Sequence, residues 1–169
     1  MKPAILLPAV LAALLLSGCA AYDGAGLRPG IATERDVVDL MGRPALRWRS
    51  ADGASVLAYP RGPEGYQTYF ATVAPDGKLA SIANVLTEKR FALIKPGMSK
   101  TEVLDLIGPP YAPWTAYFKA RDELVWEWRY CSVLNEASYF DVLFDASTNK
   151  VRSTQSRVQN CGRGECWCS

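Results

Sequence analysis

The chain of 169 residues predicts an α+β fold of two tandem small modules, each a short helix packed on one face of an antiparallel sheet. Three observations carry this. A signature occurs twice: Leu27-Arg28-Pro29-Gly30 matches Ile94-Lys95-Pro96-Gly97, and the run Val37–Pro44 matches Val103–Pro110. The offset shortens by one residue within the signature, so the first copy carries one residue more. Each signature holds a short amphipathic helix with punctuated ends, and each is followed by four strand-like runs separated by turn residues. A repeat of about 66 residues is too long for the common solenoid units, so it marks a duplicated module rather than an array.

The helices come first. In the second copy Ser99 and Glu102 have the S-x-x-E spacing of a capping box, in which each side chain reaches the other's backbone N–H. Met98 precedes the cap and Val103 stands at the fourth helical position, the arrangement of a hydrophobic staple. Val103, Leu106 and Ile107 fall on one helical face. Gly108 can take a left-handed conformation at the end, and Pro109-Pro110 prevents continuation. The first copy reads in parallel: Thr33 as cap, Asp36 at the third position, then Val37, Leu40, Met41, Gly42 and Pro44. Helices this short are marginal alone, so both must gain stability by packing on a sheet.

The strands follow. Residues 45–49 and 55–59 flank Asp52-Gly53, a strong hairpin turn, and 66–73 and 78–86 flank Pro75-Asp76-Gly77. In the second copy 114–118 and 123–130 flank a short loop, and 138–144 and 151–159 flank a turn at 145–149. Trp126, Trp128 and Tyr130 alternate with Glu127 and Arg129, which puts the aromatics on one face. Core packing beneath the helix is the expected use of that stripe. The alternative is a recognition face formed by Tyr66, Tyr69, Trp114, Trp126 and Trp128.

Composition supports a packed body, with 49% hydrophobic and 21% charged residues. The net charge of +2 is not that of a nucleic-acid binder, which needs a concentrated basic face. Arg47, Arg49, Lys89 and Arg90 read as solvated edges. With no histidine, Ser-His and Cys-His catalysis and the commonest zinc ligand are excluded. No nucleophile elbow, phosphate loop or metal motif appears. The acids Asp105, Glu123, Glu127 and Asp141 are scattered, and Asp39 and Asp105 occupy matching helix positions that suit a surface role. The expectation is a protein without catalytic residues, metal or cofactor.

Residues 1–18 read as a removable leader: Lys2 is a short positive start, and Ala4–Leu16 is an unbroken apolar run. Such a run is too short to span a bilayer core of about 30 Å. At its end Leu16-Ser17-Gly18-Cys19 resembles the lipobox of bacterial lipoproteins, which implies cleavage before Cys19 and acylation of its thiol. Several acyl chains on one cysteine give stable anchoring, whereas one chain alone is marginal. In enteric-type sorting an Asp after the cysteine retains a lipoprotein at the inner membrane. Ala20 stands there, which points to the outer membrane with the body in the periplasm. Residues 19–26 form a small, Gly-rich lipidated tether.

The signature, with Pro29, Gly30, Gly42 and Pro44 in the first copy and Pro96, Gly97, Gly108 and Pro110 in the second, resembles that of the SmpA/OmlA (BamE-like) outer-membrane lipoproteins. The resemblance covers modules at 27–90 and 91–160. It implies helices on one face of an antiparallel sheet, as in each half of the β-lactamase inhibitory protein. It also implies a lipid-anchored periplasmic scaffold or binding module with an envelope protein partner, serving outer-membrane assembly or envelope integrity. An inhibitor or ligand-binding lipoprotein, similar to the inhibitory protein, is the alternative. Classical members carry one module; this chain carries two and adds a cysteine-rich tail at 161–169.

Besides Cys19 there are four cysteines, Cys131, Cys161, Cys166 and Cys168. An even number in an exported chain favours disulfides over thiolate metal or redox sites, and the tail lacks the C-x-x-C spacing of a zinc site. A bond between Cys166 and Cys168 would be strained across one intervening residue. Cys131 is therefore expected to bond Cys166 or Cys168, and Cys161 the other.

Overall fold

The computed structural model describes residues 23–162 and 166–168. The leader, the lipobox Leu16-Ser17-Gly18 and Cys19 lie outside the described residues. Within them the chain forms two four-stranded antiparallel sheets, each in simple sequence order. The first contains β1 (Leu46–Arg49), β2 (Ser55–Pro60), β3 (Thr68–Val73) and β4 (Leu79–Asn84). The second contains β5 (Ala116–Phe118), β6 (Glu123–Cys131), β7 (Ala137–Asp145) and β8 (Lys150–Val158). Helix α1 (Glu34–Met41) precedes the first sheet, and α2 (Glu88–Phe91) and α3 (Lys100–Ile107) precede the second. No helix of the described residues is long and apolar enough to cross a membrane.

Both long helices begin with the reciprocal caps that their sequences predict. The Thr33 N–H donates to Asp36 Oδ2 at 2.7 Å, and the Asp36 N–H donates to Thr33 Oγ1 at 3.3 Å. The Ser99 N–H donates to Glu102 Oε2 at 2.7 Å, and the Glu102 N–H to Ser99 Oγ at 3.3 Å. Each helix ends at the expected glycine, with positive φ as foreseen. The ψ values differ from the left-handed helical conformation, however: Gly42 has φ 84 and ψ -169, Gly108 φ 75 and ψ -174. This is an extended, almost glycine-only region, which sends the chain straight out toward Pro44 and Pro110.

The Pro-Gly part of the signature hooks the segment before each helix onto the last strand of its own sheet. The Gly30 N–H donates to the Leu79 carbonyl at 2.8 Å, and the Leu79 N–H to the Ala32 carbonyl at 2.7 Å. In the second copy the Gly97 N–H donates to the Val151 carbonyl at 2.8 Å and the Val151 N–H to the Met98 carbonyl at 2.7 Å. Isolated bridges join Thr33 to Lys78 and Ser99 to Lys150 at corresponding points. The extra residue of the first copy is thereby located: it is Ile31, between Gly30 and Ala32, 65% exposed.

One core combines Val37 and Met41 of α1 with Leu57, Tyr59, Ala71, Val73 and Leu79 of the first sheet. The other combines Val103 and Ile107 of α3 with Trp128, Tyr130, Phe140, Val142 and Phe144 of the second. The short helix α2 was not foreseen. It supplies Phe91 to the second core, stacked on Phe140 at 4.0 Å and edge-on to Tyr130 at 4.8 Å. Burial of apolar area is the main drive for such clusters, at roughly 25 cal/mol per Å².

The modules meet along β3 and its approach. Arg129 reaches across from β6, donating from Nη2 to the Tyr66 hydroxyl at 2.5 Å and from Nη1 to the Pro63 carbonyl at 3.3 Å. Its guanidinium lies 4.1 Å from the centre of the Tyr66 ring. Cys131 is bonded to Cys168 and Cys161 to Cys166, one of the two expected pairings. They hold residues 166–168 against the start of β7, where the Ala137 N–H donates to the Cys166 carbonyl and the Cys168 N–H to the Asn135 carbonyl. Tyr66 packs on Ala137 and Cys166, so the tail is part of the junction.

Candidate functional site on the open face of the second sheet

Strand alternation divides β6 and β7 into two faces. Leu124, Trp126, Trp128 and Tyr130, with Phe140, Val142 and Phe144 opposite, belong to the core side. The intervening residues point the other way. Register then assembles them into rows across the sheet. One row is Phe118, Glu123, Asp145 and Lys150; the next is Ala116, Val125, Leu143 and Ser153; a third is Glu127, Asp141 and Gln155. Arg129, Tyr139 and Arg157 form the fourth. A hollow of ≈ 440 Å³ lies over this face, floored by Val125 and Leu143 and bordered by Trp114 and Phe118.

The charged groups of the face are held in two networks. Asp141 is only 3% exposed; its Oδ2 accepts from Gln155 Nε2 at 2.9 Å and lies 3.7 Å from Arg157 Nε. Its Oδ1 is closed off from solvent and receives no N–H donor; the neighbouring Glu127 carboxyl hydrogen-bonds Asp141 when protonated. Glu127, directly opposite Asp141 in the ladder, is ion-paired to Arg157. Burial pushes the Glu127 carboxyl above its ordinary range; the Arg157 guanidinium opposes the shift and the neighbouring Asp141 adds to it. In the second network Glu123, 7% exposed, lies 2.9 Å from Arg121 and 3.8 Å from Arg152. Arg152 also binds Asp145 at 2.8 Å, and with Thr148 holds its carboxyl down at about 2.

The aromatic rim is fixed by edge contacts. The Trp114 ring meets Tyr111 at 5.0 Å and Tyr139 at 5.8 Å, both nearly perpendicular. Arg157 lies 4.2 Å over the Tyr139 ring and Arg121 4.7 Å over Phe118. The short strand β5 and the 3-10 turn Ala112–Trp114 before it carry Trp114 to this position. The face thus combines paired acceptors, guanidinium donors and aromatic walls around an apolar floor.

Of the acids considered from the sequence, Glu123, Glu127 and Asp141 come together here. Asp105 lies apart, in a hollow with Trp48 and Arg90 on the first module's side. The five candidate aromatics do not line one open surface. Trp128 is buried in the second core and Trp126 packs against it. Tyr66 is covered at the junction, Tyr69 packs on the first core, and Trp114 borders the hollow. The reason is alternation: Trp126 and Trp128 share the inward side of β6. Tyr139, Gln155, Arg157 and Phe118 were not singled out. Their signal was period-2 alternation, with Tyr139 two residues from Asp141, Gln155 two from Arg157 and Phe118 two from Ala116, which is informative only once register is known.

No family model matches the chain, and no curated protein matches it. Among solved structures, an extracellular protein containing an SCP domain from Bacillus anthracis str. Ames aligns at 11% identity and a TM-score of 0.29, over 79% of this chain and 49% of its own length. The chain therefore spans about half the length of that protein.

Proposed function

We propose that the chain is a lipid-anchored binding module of the cell envelope, held at the outer membrane through Cys19 with its body in the periplasm. The open face of the second sheet is its binding surface, and the bound partner is an envelope component. The observation that carries this is the built character of that face: buried Asp141 and Glu123 stand in a hollow with ordered aromatic walls, not on a plain solvated surface. Charged side chains are rarely buried without a reason in pairing or function. The lipobox resemblance supplies the anchor, and the two disulfides suit an oxidising compartment.

At the level of the family, the duplicated hook, cap and glycine stop support a tandem SmpA/OmlA-like module, with halves related as in the β-lactamase inhibitory protein. The protein is read as a non-enzyme whose acids bind rather than react. Two measurements test the whole reading. Labelled palmitate should enter the wild-type chain in cells and not the Cys19→Ser variant. A photo-crosslinking residue at Val125 should capture an envelope component that one at exposed Arg35 does not. Absence of palmitate, or equal capture from both positions, would sink it.

A further inference from the structure

We propose that the tip of the β6–β7 hairpin, with Trp167 beside it, dips into the zwitterionic phospholipid surface to which Cys19 is anchored. This lies away from the open face of the second sheet and rests on the lipid-anchor part of the reading above. The first ground is the chemistry of the turn. The Asn135 N–H donates to the Ser132 carbonyl at 2.9 Å, the Glu136 N–H donates to Ser132 Oγ at 3.1 Å, and Asn135 has φ 63. Turn corners favour Gly, Pro, Asn, Asp and Ser. Other hairpin corners of this chain follow that rule, with Asp52-Gly53, Gly62-Pro63, Asp76-Gly77 and Ser147-Thr148. Here the corner holds Val133 and Leu134, the two most exposed large apolar side chains among the described residues, at 84% and 70%. Neither contributes to a core. Trp167, also exposed, is set next to them by its bridge to Glu136, by the Cys168 N–H donating to the Asn135 carbonyl at 3.0 Å, and by the Cys131–Cys168 bond. Exposed Val158 lines the same hollow as Val133 and Leu134. Single exposed apolar residues are ordinary, but a cluster at one end of a sheet marks an interaction site. Tryptophan rings favour the membrane–water boundary, and apolar side chains beside them enter the acyl edge.

The second ground is where the tether leaves the body. Gly24 is buried against Ile82 of β4 and Met41 of α1, and Gly30 bonds to Leu79. The segment between them therefore runs back along β4, and the chain enters at the end of β4 that carries Asn84. That end leads into α2, where Glu88 Oε1 accepts from the Val133 N–H at 3.4 Å. Tether and hairpin tip thus share one end of the molecule. Cys19 to Gly24 is five residues, which reach at most about 18 Å, so acyl chains on Cys19 hold this end close to the bilayer. The third ground is charge. Glu88 and Glu136 line the hollow beside the tip, and Arg157, the cation among its lining residues, is paired to Glu127. With no surplus of positive charge there, an anionic surface is not attracted, and a zwitterionic one fits.

The test uses the lipidated chain with its disulfides intact, reconstituted into phosphatidylcholine vesicles whose acyl chains are brominated near the headgroup. Bromine quenches only tryptophans that reach the acyl edge. The wild-type fluorescence should be quenched relative to unbrominated vesicles, and Trp167→Phe should abolish the difference. Val133→Glu/Leu134→Glu removes apolar area from the tip without touching a core, and should cut the quenching at least about twofold. If that variant fails to fold, Trp167→Phe decides alone. Replacing part of the phosphatidylcholine with phosphatidylglycerol should not increase the effect. No quenching in the wild type would overturn the proposal, as would quenching that survives Trp167→Phe or a dependence on anionic lipid that salt abolishes. If a photo-crosslinking residue at Leu134 captures an envelope protein and no phospholipid, the tip is a protein contact and the proposal falls. Palmitate labelling separates the two readings: with palmitate on Cys19 and Trp167 unquenched, the anchor stands and the tip proposal fails, whereas without palmitate both fail.

Discussion

Gly42 and Gly108 occupy the same point of the repeat but have different surroundings. A Cβ on Gly42 would meet nothing within 4 Å. One on Gly108 would lie 2.9 Å from Thr68 Cγ2 and 3.1 Å from Phe70 Cε1, both in the first sheet. Gly42→Ala should therefore cost the conformational strain alone, about 1–3 kcal/mol. Gly108→Ala should cost at least about 1 kcal/mol more through overpacking of the junction, measurable by urea unfolding. Glu127 gives a second test. Its folded pKa is raised, so the protonated form is favoured in the native state and stability falls as pH rises through that value. Glu127→Gln removes this, and should raise Tm at pH 7.5 by an amount that shrinks toward pH 4. A scan with no such pH trend would show that the Arg157 pairing outweighs burial. The identities of these residues were readable in advance; their environments were not, because Thr68, Phe70 and Arg157 arrive from distant parts of the chain.

The helical elements are eight residues each and depend on their caps. Thr33→Ala and Ser99→Ala should each cost about 1 kcal/mol, seen in thermal melts by circular dichroism. The backbone N–H groups of Thr33 and Ser99, and after them their hydroxyls, hold the Asp36 and Glu102 carboxyls below their ordinary range, and the substitutions remove the hydroxyl share. A depressed carboxylate contributes fully above its unfolded pKa and loses that contribution as pH falls. The cost of the cap substitutions should thus diminish as pH is taken below about 4. The caps, both helices and all eight strands were legible because their signals are local: side-chain spacing, glycine stops and period-2 alternation. The four-residue α2 escaped because its local signal is weak, a Thr87 cap accepting from the Arg90 N–H at 3.4 Å. It forms because Phe91 finds Phe140, about fifty residues away, and a helix so short has no stability of its own.

At the scale of the whole molecule, two sheets are held together by a cation, an aromatic residue and a tied tail. Arg129→Lys keeps the charge but loses the forked donation to Tyr66 and Pro63 and the flat stacking, and should cost about 1–3 kcal/mol. Removing the Cys131–Cys168 bond, which closes a sequence separation of 37, should cost about 2–4 kcal/mol. Reductant should lower the wild-type Tm and leave a Cys131→Ala/Cys168→Ala variant less affected. Increased solvent exposure of Tyr66 in that variant, read by tyrosine fluorescence quenching, would mark loosening at the junction and not only loss of a crosslink.

The amino-acid order alone determined the duplication, the kind and number of strands, both capped helices and the restriction of the tail to two disulfide pairings. Each of these rests on neighbours a few residues apart or on chain geometry that forbids the alternatives. Only the tertiary structure decided which aromatics are core and which acids share a face. A one-residue change of register would turn Glu127 and Asp141 inward and Trp128 outward, and register is settled by burial across the whole sheet.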